Sequence, residues 1–357
     1  MSEEKRTLAG RRSFNSKVLD LLWGNSLLKR ILASTAESGS MCHAYIFEGP
    51  HGSGRHTAAL MFSLTAACGA DTFPCLACEA CRKLKEGISP DLITVSPEGD
   101  KKTLGVEAVR SIAESIYIAP NDLDVKFYLI PDADNMTIQA QNALLKLLEE
   151  PPRGVYFFIL CESAANLLPT VRSRAPLIKM QKFADAELAG LLVRHDKNAA
   201  KMSESDHTGF MRCVRLADGS VGRALELIGS KKSAAATSLF ERTESFFRLF
   251  SSTGAEARAK FTSFVISLSE DREELGEILS LITSAARDLI AVKGNSPVPP
   301  LFFADSASAE ELAGKITTRE LFAVARYAEE ARADLMANAN VYLTLAALAA
   351  RLNSISR

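Results

Sequence analysis

The 357-residue chain is defined first by what is missing from it. No apolar run reaches the about 18 residues that a membrane-spanning helix needs, so the sequence predicts no transmembrane segment. Met1 to Ser13 is polar and charged, with no apolar stretch or small-residue cleavage site behind it; no secretory leader is read there, and a cytoplasmic, reducing setting is expected. Neither sign of charge is in excess: 42 Lys and Arg stand against 43 Asp and Glu, a net charge of −1. That excludes a surface that is basic throughout and wraps nucleic acid, while leaving room for a local patch. The basic groups at Lys101–Lys102, Arg172–Arg174 and Lys231–Lys232 are separated and interspersed with acids, which reads as a solvated face, and no aromatic platform for stacking bases accompanies them. Internal repeats, heptads and low-complexity tracts are also missing. With 47% hydrophobic and 24% charged residues, an ordinary globular chain is left. At about 100–200 residues per domain it holds two or three domains.

Up to about residue 180 short apolar runs alternate with helical periodicity. His43–Glu48, Asp91–Val95, Val125–Ile130, Val155–Leu160 and Ala175–Met180 read as buried strands bounded by Gly, Pro or Asp. Arg55–Cys68, Val106–Tyr117 and Thr137–Glu150 carry apolar residues at three- and four-residue spacing. Successive strand–helix units of this kind predict a mostly parallel sheet covered on both faces. Beyond 181 strand signals vanish and helices follow to the end. The expected fold class is therefore α/β plus all-α, in three parts: 1–180, a small helical group over 181–230, and a helical domain over 231–357.

Behind the first long strand comes Gly49-Pro-His-Gly-Ser-Gly-Arg-His-Thr57. A phosphate-binding loop between strand and helix uses glycines to turn backbone N–H groups onto the phosphates, a Lys to reach the outer oxygens and a hydroxyl to hold magnesium. Gly49, Gly52 and Gly54 have that context, yet Arg55 stands at the Lys position and His56 at the hydroxyl position, with Thr57 one place late. A hydrolase of this kind also needs an acidic pair at the end of a later strand. There the sequence reads Pro131-Asp-Ala-Asp134, with proline at the metal-binding position. Two independent losses point to a retained scaffold and a lost reaction.

Seven cysteines are the unusual surplus, and four of them crowd together as Cys68-x6-Cys75-x2-Cys78-x2-Cys81. In a reducing compartment this spacing reads as a metal site and not as disulfides. Four thiolates suit a tetrahedral zinc ion, and a filled ligand set makes the zinc structural. Cys42, Cys161 and Cys213 lie in apolar stretches and are expected in the core.

Asn142-Ala-Leu-Leu-Lys-Leu-Leu-Glu-Glu-Pro-Pro152 is specific enough to name a family. Together with His43–Pro50, the cysteine cluster, Leu168-Pro-Thr-Val-Arg-Ser-Arg174 and Gly219-Ser-Val-Gly-Arg-Ala224, it resembles the AAA+ clamp loader of bacterial DNA polymerase III, most of all its delta-prime branch. Arg287–Ile290 and Asn338–Asn340 match its collar helices more loosely. The resemblance implies an AAA+ P-loop-type core with a zinc-binding insertion, a helical lid and a C-terminal collar that oligomerises. It implies a ring with gamma/tau motor subunits and delta, acting on a sliding clamp and primed DNA. Motor subunits keep Lys-Thr in the phosphate loop and an Asp-Glu pair later; this chain has neither, as delta-prime subunits commonly do not. In the family's Ser-Arg-Cys run the arginine reaches the ATP site of the adjacent subunit, and here the run is Ser173-Arg174-Ala175, which carries that role to Arg174. The first sensor position, within Leu160–Ser163, lacks the motor's Thr or Asn, and the second-sensor arginine falls on Gly222. An active motor subunit using Arg55, and nucleotide binding without hydrolysis, stay open as alternatives; intrinsic ATPase is not expected.

Overall fold

The period-two alternation of a strand explains how the first half builds its core. In the strand Ala44–Glu48 (β2), Tyr45 and Phe47 point into one cluster of buried side chains while Ala44 and Ile46 point into another. A strand apolar on both faces needs cover on both faces, and helices supply it. The computed structural model describes residues 12–355 apart from 96, 98–102, 230–231, 297–299, 301 and 304–305; Lys101, Lys102 and Lys231 thus lie outside the described residues.

The elements run β1 (Ser13–Phe14), α1 (Ser26–Ser38), β2 (Ala44–Glu48), α2 (Arg55–Ala67), β3 (Thr72–Phe73), α3 (Glu79–Glu86), β4 (Leu92–Thr94), α4 (Val106–Ser115), β5 (Lys126–Ile130), α5 (Ile138–Glu149), β6 (Val155–Cys161), α6 (Pro169–Arg172) and β7 (Leu177–Lys179). Five strands form one sheet in the order β4-β5-β6-β2-β7, and each pair in it is parallel. One face carries α1, α2 and α3, centred on Tyr45, Phe47, Phe62, Phe127 and Phe158, whose rings lie 4.6–6.5 Å apart where they meet. The opposite face is closed by Val109 and Ile112 of α4 with Ala140, Leu144 and Leu148 of α5. Truncating an aromatic such as Phe62, which has no exposed surface, costs about 3–5 kcal/mol at sites of this kind.

Beyond the sheet, every described element is a helix: α7 (Asp185–His195), α8 (Lys197–Ser205), α9 (His207–Leu216), α10 (Val221–Ile228), α11 (Lys232–Phe250), α12 (Ala255–Ile266), α13 (Arg272–Lys293), α14 (Ser306–Lys315), α15 (Thr318–Met336) and α16 (Val341–Ile355). The chain divides into two compact units, Met1–Phe183 with Ser220–Arg223, and Ala184–Gly219 with Ala224–Arg357. In the second unit α13 packs against both α11 and α15, and Phe247, Ile282 and Leu321 on these helices are buried. There the buried Asp288 carboxylate accepts from the backbone N–H groups of Phe302 (2.6 Å) and Phe303 (3.2 Å), seating both rings. No helix among the described residues is long and apolar enough to cross a membrane.

Candidate functional site

Helix α2 carries a candidate site at each end. Its last turn delivers Cys68, which caps the helix, and Cys78 sits immediately before α3, which delivers Cys81. The four sulfur atoms of Cys68, Cys75, Cys78 and Cys81 lie within 4.8 Å of one another. A tetrahedron of Zn–S bonds of about 2.3 Å has S···S edges of roughly 3.8 Å, so the set fits such an ion with little adjustment. Backbone N–H groups already serve the sulfurs as they would thiolates: Cys75 N–H donates to Cys68 Sγ (3.3 Å) and Cys78 N–H to Cys75 Sγ (3.2 Å). Donation from Ala77 and Cys78 brings the Cys75 thiol down to about 6, while burial pushes Cys81 up. A cation would reconcile these opposed tendencies by making every sulfur a thiolate. The cluster can hold a metal ion.

A second observation ties this knot to the start of the chain. Ser13 and Phe14 pair in parallel with Thr72 and Phe73, inside the cysteine loop. The Arg12 guanidinium donates to Cys68 O and Ala70 O and lies 4.3 Å from the Phe73 ring centre. Asn15 donates to Pro74 O. A two-residue strand has no periodicity to read, so the sequence pattern missed it.

At the other end of α2 the phosphate loop keeps its backbone. It follows β2, which the order of the sheet places between β6 and β7, at the carboxyl ends of the strands where open parallel sheets hold ligands. Gly52 (φ +73°) and Gly54 (φ +93°) occupy the left-handed region that other residues avoid. The side chains have changed character. Arg55 is 5% exposed, and among the described residues its Nη1 has no hydrogen-bond partner; the same holds for the buried Ser53 Oγ. Thr57 lies on α2, half-buried. At the end of β5, Asp132 adopts φ +48° and Asp134 accepts from the Glu162 backbone N–H (3.1 Å), so that carboxylate is engaged by its own chain.

Gly222 lies directly on the loop. Its N–H donates to Gly52 O (2.8 Å), and Ser220 Oγ donates to His51 O (2.7 Å). A Cβ on Gly52 would fall 2.4 Å from Arg223 N, and one on Gly222 would fall 2.7 Å from Gly52 O. Two glycines face each other because neither position has room for a side chain. Any side chain at position 222, an arginine included, is thus excluded by the packing of this chain.

Arg174 lies apart from both sites, two residues beyond α6 and one third exposed. Its Nη1 donates to Thr170 O (2.8 Å), and its Nη2 pairs with Glu149, the last residue of α5. Of the remaining cysteines, Cys161 and Cys213 are buried, and burial pushes Cys161 up to about 12. Cys42 differs from the core position expected of it: it is exposed on the approach to β2, where its backbone N–H donates to Tyr45 Oη.

A five-stranded parallel sheet with a glycine-rich loop after β2 and helices on both faces makes the first unit a P-loop-type α/β core. Residues 24–184 match the family model described as "DNA polymerase III, delta subunit". DNA polymerase III subunit delta' of Bacillus subtilis is 31% identical over 170 residues, 47% of this chain and 50% of that protein. Subunit gamma from Buchnera aphidicola is 27% identical over 207 residues, 57% of this chain and 56% of its own. The chain thus spans about half the length of these curated relatives. A gamma-subunit-related protein of Thermotoga maritima superposes loosely, with a TM-score of 0.43 at 20% identity over 93% of this chain and 99% of its own. The matched stretch, residues 24–184, is thus similar to subunits of DNA polymerase III, with both delta' and gamma among the relatives.

Proposed function

We propose that this chain is a non-hydrolysing, delta-prime-type subunit of a clamp loader. In this reading it sits in a ring with gamma/tau-type motor subunits and delta, offers Arg174 to a neighbour's ATP and helps place a sliding clamp on primed DNA. Its three parts, 1–180, 181–230 and 231–357, would serve as core, lid and collar, with a structural zinc ion on Cys68, Cys75, Cys78 and Cys81.

The observation that carries the reading is the state of the phosphate loop. A loop that folds correctly around Gly52 and Gly54, yet buries Arg55 at the lysine position and follows β5 with Pro131, supports a scaffold without hydrolysis. An exposed arginine on a short, well-anchored segment is the group such a subunit can still contribute, because an always-charged fork stabilises phosphate charge developing in a neighbouring site. The second reading is nucleotide binding without hydrolysis at Gly49, Gly52, Gly54, Arg55 and Thr57, and the unpartnered Arg55 Nη1 favours it. Steady-state ATP turnover of a loader reconstituted with Arg174→Ala should fall at least about tenfold, the subunit still assembling. Unchanged turnover removes the role from Arg174, and magnesium-dependent hydrolysis by the isolated chain removes the scaffold reading.

A further inference from the structure

The run Glu149-Glu-Pro-Pro152 ends α5 without an evident purpose in the sequence, since helices stop at proline with many residues before it. In the structure the Glu149 carboxylate meets the guanidinium of Arg174, 25 positions further along the chain. From this geometry we infer that Glu149 is a positioning residue for Arg174, holding the guanidinium in one arrangement for phosphate on a neighbouring subunit. The inference rests on the role proposed for Arg174 above.

Helix α5 grips the segment that bears Arg174 at two places. Near its start the buried Gln141 accepts from Leu168 N–H (2.7 Å) and donates to Asn166 O (3.3 Å), fixing the entry to α6. At its end Glu149 takes Nη2 of Arg174. Between these, Arg174 N–H donates to Val171 O (3.1 Å) and Nη1 to Thr170 O (2.8 Å). The backbone and the two terminal nitrogens of the fork are therefore each tied to a fixed partner. An arginine carries five N–H donors, and this arrangement leaves Nε–H and one N–H of Nη2 unspent among the described residues. A charge that acts on a transition state is worth most when it is already oriented, and a free arginine side chain rotates about four bonds. The pair is about one third exposed on the arginine and half exposed on the glutamate, so it orients more than it stabilises the fold.

The test is a double-mutant cycle in the reconstituted loader, comparing wild type, Glu149→Ala, Arg174→Ala and the double variant, with Glu149→Gln as the conservative change. Glu149→Ala should lower kcat for ATP about fivefold, the upper end for an exposed pair, with KM for ATP unchanged and the subunit assembling normally. Glu149→Gln, which keeps an acceptor oxygen at the same reach, should recover at least half of the loss. In the Arg174→Ala background Glu149→Ala should have no further effect. Wild-type turnover by Glu149→Ala while Arg174→Ala is impaired would overturn the positioning role alone, and so would an equal loss in both backgrounds. No loss with Arg174→Ala would instead remove the finger on which the inference stands.

Discussion

The two ends of α2 have kept different things. At its C-terminal end the cysteine cluster keeps both geometry and donor set: four sulfurs lie within 4.8 Å, two of them accepting from neighbouring backbone N–H groups. At its N-terminal end the phosphate loop retains geometry alone. Gly52 and Gly54 still turn left-handed, while Arg55 is buried with a donor to spare. The difference separates two kinds of constraint. Gly52 is held by packing against Ser220, Gly222 and Arg223, and Gly54 by packing against Leu22, which persists whether or not a nucleotide binds. A lysine for phosphate or a hydroxyl for magnesium has no such second duty in the packing. Cysteines that share a metal each depend on the other three.

If that account holds, the largest effect belongs to the knot. Purified protein should carry about one zinc ion per chain. Cys81→Ser, or removal of metal by a strong chelator, should cost on the order of 4 kcal/mol in unfolding free energy. Because Arg12, Ser13 and Asn15 are bonded to the cysteine loop, amide-exchange protection should fall at residues 13–15 as well as 68–87. A metal-free protein with unchanged exchange at both places would break the comparison, since the knot would then be as idle as the phosphate loop.

An intermediate effect is expected at the opposite end. Gly52→Ala adds a Cβ 2.4 Å from the Arg223 backbone nitrogen at a position already at φ +73°. Strain and overpacking together should cost about 3 kcal/mol, read as a lower denaturation midpoint for the first unit. This should hold with and without added ATP. A loss smaller than about 1 kcal/mol would mean that the glycines are kept for something other than packing.

How much of this was legible depends on the range over which each feature is specified. The three central sheet strands were readable because Ala44–Glu48, Lys126–Ile130 and Val155–Cys161 are short apolar runs between turn residues, buried on both faces; the edge strands Leu92–Thr94 and Leu177–Lys179 form where expected but are only partly buried. The cysteine set was readable because its spacing is local. The pairing of Ser13–Phe14 with Thr72–Phe73 was not, since two residues show no period and the partners are nearly sixty positions apart. Helix α8, Lys197–Ser205, buries only Ala199 and has almost no apolar stripe to recognise. The contact of Glu149 with Arg174 left one trace, a carboxylate ahead of two prolines, that has meaning only when α5 and α6 are side by side. Gly222 was conspicuous as a missing arginine; its reason, the carbonyl of Gly52 at hydrogen-bond distance, is a property of the fold.

The smallest effect sharpens the comparison most. Arg55 stands where a motor subunit needs its lysine, and here it is 95% buried with Nη1 unpaired among the described residues. A buried polar group without a partner carries its desolvation cost with nothing to offset it, and replacing such a group by an apolar one of similar length is commonly neutral or stabilising. Arg55→Met keeps most of the packing of the stem, so unfolding free energy should change by less than about 1 kcal/mol, upward if at all. Assembly with partner subunits and ATP turnover by the reconstituted ring should be unchanged. A loss above about 2 kcal/mol, or a fall in turnover, would show that the Arg55 guanidinium is engaged in the working protein. The two ends of α2 would then differ in ligand and not in whether they have one.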